Sequence, residues 1–246
     1  MYEYYISSGV CMKPEGIGTL SGFAEIILYN PCEDVVSDVD ITVYFEDKQP
    51  RAIKPVAVQP GRNFLLVMPD CDPGVFENCG HFGAKFVSTT PLVVEPIGGP
   101  SLYHETNTYQ GGCPNFWGTK LHTQWHFADG LWILHENPDA AIWPFNEIEE
   151  YYFLNPNKED ARLDITLQFR NIEHMSFKLA AKAESLVVWR NYKRIPYGQP
   201  YGMKVISTQP ISAASNRFVY GMRCGFNEWG LHPHCAMPGE PGPITA

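Results

Sequence analysis

Histidines, carboxylates and tryptophans crowd into one stretch of this 246-residue chain. It holds Tyr103, His104 and Glu105, then Cys113 to Gly118 with Trp117, then His122, Gln124, Trp125 and His126, then Asp129, Trp132, His135 and Glu136. If 122 to 126 is a strand, alternation puts His122, Gln124 and His126 on one side of it. Together with His104 and Glu105 or Asp129, neutral imidazoles and carboxylates form a ligand set suited to zinc or another divalent metal. A histidine beside a carboxylate equally suits general acid–base chemistry. The plainer reading is a set of surface and interface histidines, since no HExxH spacing is present.

A second cluster, His232, His234 and Cys235, has metal-ligand types at a spacing too tight to close a site without partners from elsewhere. Trp117, Trp125, Trp132, Trp143 and Trp229 have rings that stack on sugars or anchor protein contacts when exposed, and fill a core when buried. The expected ligand-contacting set is therefore Trp117, His122, Trp125, His126, Trp132 and Trp229. The pairs Glu149-Glu150 and Glu159-Asp160 have the composition of a glycosidase carboxylate pair. The Asn-Pro between them favours solvated loop charge. No Gly-x-Ser-x-Gly elbow is present, and Ile97-Gly98-Gly99-Pro100 is a turn with no helix signal behind it.

These residues must be held by strands. Glu25-Ile26-Ile27-Leu28-Tyr29-Asn30-Pro31 and Glu150-Tyr151-Tyr152-Phe153-Leu154-Asn155-Pro156 each read as a buried strand closed by an Asn-Pro turn. Asp40 to Phe45 matches Asp164 to Phe169, and Phe64 to Val67 matches Leu186 to Trp189. Gly83-Ala84-Lys85-Phe86-Val87-Ser88-Thr89-Thr90-Pro91 matches Gly202-Met203-Lys204-Val205-Ile206-Ser207-Thr208-Gln209-Pro210, and a strand is expected to stop at each Ser-Thr-x-Pro. Lys85 and Lys204 are expected to reach solvent from a strand. Tyr4 to Gly9 and Trp125 to Gly130 open the two copies. No stretch of ten residues has clear helical periodicity, the segment from Met175 to Val188 being the nearest candidate. The reading is all-β: two tandem β-sandwich units of similar topology at 1–100 and 125–246, with 101–124 as the loop between them.

A formal charge of −9 offers no basic field for nucleic acid, which is not expected as a main partner. No apolar run is long enough to span a membrane as a helix. Met1 to Tyr5 lacks the make-up of a secretory signal. Seven cysteines with no Cys-x-x-Cys pair fit reduced thiols in the cytoplasm better than a disulfide framework.

Each copy resembles the Anabaena sensory rhodopsin transducer family and related tandem β repeats of bacterial surface proteins. The features that carry the resemblance are the Trp125-to-Gly130 opening with its Phe-Ala-Asp-Gly, the strand ending in Asn-Pro, the Asp-Ile-Thr strand, and the segments after Pro91 and Pro210. Tyr103, Gly111-Gly112 and Gly118 resemble the linker between such repeats. The resemblance implies a β-sandwich and an oligomer-forming interaction or ligand-binding module, and it implies no catalytic residue.

The expected function is a non-enzymatic module that binds a small molecule, carbohydrate or protein partner, as a homo-oligomer. The alternative is an enzyme acting on a sugar or related molecule at the inter-repeat cleft through His104, Glu105, His122 and His126, with or without a metal.

Overall fold

The computed structural model describes residues 1–11, 20–22, 25–76, 79–96, 100–104, 107–108, 120–130, 146–189, 194–196, 198–220 and 240–241. They are mostly strands in several antiparallel sheets.

In the first half, β1 (Tyr2–Cys11), β7 (Gly80–Ser88), β4 (Ser37–Phe45) and β5 (Arg51–Val58) lie side by side in that order. A second sheet has the order β6 (Asn63–Val67), β3 (Glu25–Tyr29), β8 (Val93–Pro96). Alternation along β3, β4 and β7 turns Ile26, Leu28, Val39, Ile41, Val43, Phe82, Ala84 and Phe86 into one buried cluster. Two four-residue helices that the sequence did not signal, α1 (Met68–Cys71) and α2 (Pro73–Phe76), contribute Met68 and Phe76 to it. A three-stranded sheet orders β10 (Asn107–Thr108), β9 (Pro100–His104) and β2 (Leu20–Gly22).

In the second half, β16 (Tyr201–Tyr220) is the organising strand. Its first part lies between β11 (His122–Gly130) and β13 (Ala161–Phe169), with β14 (Met175–Ala181) beyond β13 and β17 (Glu240–Pro241) beyond β11. Its second part pairs with β12 (Asn146–Asn155), which also pairs with β15 (Ser185–Trp189). The core here is Trp125, Phe127, Tyr151, Phe153, Leu163, Ile165, Leu167, Met203 and Val205 with their neighbours.

The two Asn-Pro turns behave as their side chains dictate. Asn30 is fully buried and its amide donates to the carbonyls of Val35 (2.8 Å) and Val58 (3.0 Å). Asn155 is likewise buried and donates to Glu159 (2.9 Å), Ala181 (3.1 Å) and Lys182 (3.0 Å). Each side-chain oxygen accepts an amide two residues on, from Cys32 and Asn157, which is an Asx turn.

Two sequence readings change. The strand stops at Ser88, but β16 runs on through Ser207-Thr208-Gln209-Pro210. It changes partners there instead, pairing β13 up to Ser207 and β12 from Ser212. The register with β11 shifts across the same stretch, so Pro210 withholds no ladder amide. Phe64 lies opposite Leu28 and Val187 opposite Phe153, so β6 and β15 correspond one residue away from their sequence match. The segment from Met175 to Val188, the nearest to a helical candidate, is not helical, as expected: it is β14 and the start of β15 with a turn at 182–184 between them.

Candidate functional site

On β11 the expected single face divides. Gln124 Nε2 lies 2.9 Å from His126 Nε2, both partly exposed. A register shift separates His122 from Gln124, and the His122 ring stands edge-on to Trp125 at 5.4 Å and 78°. Burial, helped by nearby Lys120, holds the His122 imidazole below its ordinary pKa, so the neutral ring is favoured. Trp125 has 0% exposure and its indole N–H points to the carbonyls of His122 and Ile211, both at 3.2 Å. Its ring is core and offers no stacking face to a sugar, contrary to the sequence expectation.

His104 ends β9, where only the backbone is described, and Asp129 is described in the same way. Glu105, Trp117, Trp132, Trp143, Trp229, His232, His234 and Cys235 lie outside the described residues. Among the described residues, no group of three or more His, Cys, Asp or Glu side chains is arranged to hold a metal.

A buried association of carboxyl, imidazole and phenol lies elsewhere, between the two halves. Its apolar part is Tyr5 and Tyr44 from the first half against Tyr152, Leu154, Leu186 and Val188 from the second. His81 Nε2 lies 3.8 Å from Glu150 Oε2, and the Tyr152 hydroxyl donates to the same carboxylate oxygen. The rings of His81 and Tyr152 are 5.4 Å apart. His81 is 2% exposed and Glu150 is 3% exposed, so neither presents an atom to a substrate. Glu150 is therefore a buried joint and not the solvated loop charge its neighbours in sequence implied. A carboxylate costs several kcal/mol to bury alone, which is why it has a hydroxyl and an imidazole beside it. His81 was missed altogether. A signal for the joint did exist: β12 and β15 carry Tyr152, Leu154, Leu186 and Val188 on the face turned away from their own core, so both faces need cover.

At the edge of this joint, Lys85 Nζ is 2.6 Å from Glu3, whose other oxygen accepts from the Tyr5 hydroxyl at 2.6 Å. The hydrogen bond from Lys85, then that from Tyr5, lowers the Glu3 pKa. Burial, then Glu184 and Glu3, pushes Tyr44 up to about 12. Lys85 thus belongs to an ion pair, with a quarter of its side chain still exposed. A Cβ on Gly83 would stand 3.1 Å from both the Ile6 carbonyl oxygen and the methyls of Leu154, so the glycine eases a tight approach at this joint.

No protein-family model matches the chain, and no curated protein matches it. Among solved structures it is similar to a Thermotoga maritima protein at 19% identity, covering 48% of this chain and 93% of that one with a TM-score of 0.35. It is similar to the Anabaena sensory rhodopsin transducer at 22% identity, covering 38% of this chain and 86% of that one with a TM-score of 0.33. A cowpea mosaic virus particle chain aligns over 98% of this chain and 91% of its own at 10% identity and a TM-score of 0.22.

Proposed function

We propose that the chain is a non-enzymatic protein-interaction module made of two tandem β-sandwich units, in 1–100 and 125–246. The recurring pairing order supports the units. β7 lies between β1 and β4 with β5 outside, as the first part of β16 lies between β11 and β13 with β14 outside. β3 lies between β6 and β8, as β12 lies between β15 and the second part of β16. Gly9 and Gly130 occupy matching places, each after a register shift, and a Cβ on either would run into the ring of Phe82 or Tyr201.

The observation that carries the function is an uncovered apolar sheet face. Leu65 and Val93 are each 52% exposed and Tyr29 is 37% exposed. They sit on three adjacent strands, with Tyr29 directly opposite Val93 and Leu65 opposite Ile27. Contiguous apolar surface of this kind marks a contact site. The buried state of His81, Glu150 and Trp125 supports binding over catalysis by these groups.

The test is a thermal-shift series on the full chain with zinc and a saccharide panel, alongside sedimentation. Association with no ligand-dependent rise in melting temperature is expected. A rise with a sugar or with zinc would replace the protein-contact reading, because a ligand that binds only the folded state must stabilise it.

A further inference from the structure

We infer that the uncovered face on the first unit docks onto the second unit of another copy of this chain, head to tail, by repeating the contact that joins the two units within one chain. The inference rests on the tandem-module reading and names its partner.

Within the chain, the outward face of β12 and β15 covers the outward face of β1, β4 and β7. The asparagine turns align the face that does the covering with its counterpart: Asn155 with Asn30 places Leu154 at Tyr29, Tyr152 at Ile27 and Glu150 at Glu25. By strand register, Val188 falls at Leu65 and Ser212 at Val93. In the second unit these positions are buried, with Leu154 at 0%, Tyr152 at 0% and Val188 at 9% exposure. In the first unit Tyr29, Leu65 and Val93 are open. One face has thus found its cover and its counterpart has not.

The complementary face also recurs, and among the described residues Ile206 and Gln168 on it are exposed and Gln124, His126 and Lys204 partly so. Tyr5 lies opposite Lys85, and His126 lies opposite Lys204. Glu3 lies opposite Val87, and Gln124 lies opposite Ile206. Gly83, which admits Leu154, has its equivalent in Gly202, where nothing but the Phe127 carbonyl stands within 4 Å of an added Cβ. Ile206 is 46% exposed. The acceptor face carries Lys204 beside the Arg162–Asp164 ion pair, and the donor face carries Glu25 and Glu95, so Lys204 is the cation placed to meet the donor carboxylates. Donor and acceptor are different surfaces, so the contact is heterologous and propagates to a closed ring or an open fibre.

The test uses the full chain and two double variants, Leu65→Glu with Val93→Glu on the donor face and Lys204→Glu with Ile206→Glu on the acceptor face. All four positions are at least partly exposed, and unchanged melting temperatures check that both variants fold. Wild type is expected to sediment as a multi-chain species, as ring or fibre. Each variant alone is expected to lose self-association by at least about tenfold, because glutamate is forced into an apolar contact. An equimolar mixture of the two variants is expected to give a two-chain complex, since one intact donor then meets one intact acceptor. A mixture that stays single-chain overturns the inference, as do variants that associate like wild type. If wild type self-associates and neither variant disturbs it, the face assignment falls and the interaction module stands. If wild type is single-chain and responds to zinc or a saccharide, both readings fall.

Discussion

Aligned as the two proposed units, the halves of the chain use matching strand positions for opposite ends. On β1, Glu3 and Tyr5 point out of the sheet beside Lys85, and the second half lies over Tyr5 while Glu3 stays exposed at its edge. On β11, Gln124 and His126 occupy the matching places beside Lys204, and both are partly exposed. The residues that shape the backbone are alike in the two halves, namely Asn30 and Asn155 at the turns and Gly9 and Gly130 beneath aromatic rings. The difference teaches that backbone demands are local and recur wherever the strand path recurs. The chemistry of an outward face follows from what covers it.

The largest expected effect probes the turns. Asn155→Ala strands three carbonyls and Asn30→Ala strands two, so loss of about 3 kcal/mol or more is expected for Asn155 and less for Asn30. Urea unfolding of both variants measures the pair, and equal losses would break the ranking. Next come the glycines. Gly9→Ala and Gly130→Ala each force a methyl into an aromatic ring and should cost about 2 kcal/mol alike. A harmless substitution at one of them would end the equivalence of the two opening strands.

The joint itself is tested by Tyr152→Phe, which deprives buried Glu150 of its hydroxyl donor. A loss of about 1–2 kcal/mol is expected, rising at neither open face when Tyr29→Phe is made as the control.

The smallest effects are pH-dependent and probe the joint from its exposed edge, at Glu3, to its buried part, at Tyr44. Glu3 has its pKa lowered from 4.5, so its contribution is present above that value and is lost as pH falls through the folded pKa. Glu3→Gln, which copies Gln124, should flatten the acid limb of a stability–pH curve. An unaltered limb would show that the ion pair with Lys85 is idle. Tyr44 is raised from 10.0 to about 12, so its contribution is full below 10 and is lost as pH rises to 12. Tyrosinate absorbance should show a Tyr44 component ionising above the ordinary tyrosine range, and loss of that component in Tyr44→Phe assigns it.

Much of the frame could be read from single residues. Pro31 and Pro156 end strands because proline has no amide to give, and the asparagine before each had to cap the turn. Alternation in Asp164 to Phe169 predicted one buried side, and Leu163, Ile165 and Leu167 form it. The candidate site was less legible. Trp125 and the histidines flanking it have the same residue types whether a ligand or a core receives them, and only its neighbours across β16 show that the indole is core. His81 has no companion within its own stretch of sequence, because its carboxylate and phenol come from residues 150 and 152.

The sequence by itself determined the strands that close in Asn-Pro and the core-facing side of strands such as Ala161–Phe169, since period-two alternation and the Asn-Pro turn act over a few residues. The tertiary structure alone decided which outward faces are covered. That choice buries Glu150 and Tyr152 and leaves Tyr29 and Leu65 in water, although the paired strands are built alike. The reason is that covering a face requires a second surface distant in the chain. No local pattern encodes that surface, and its apolar area is removed from water only when the two meet.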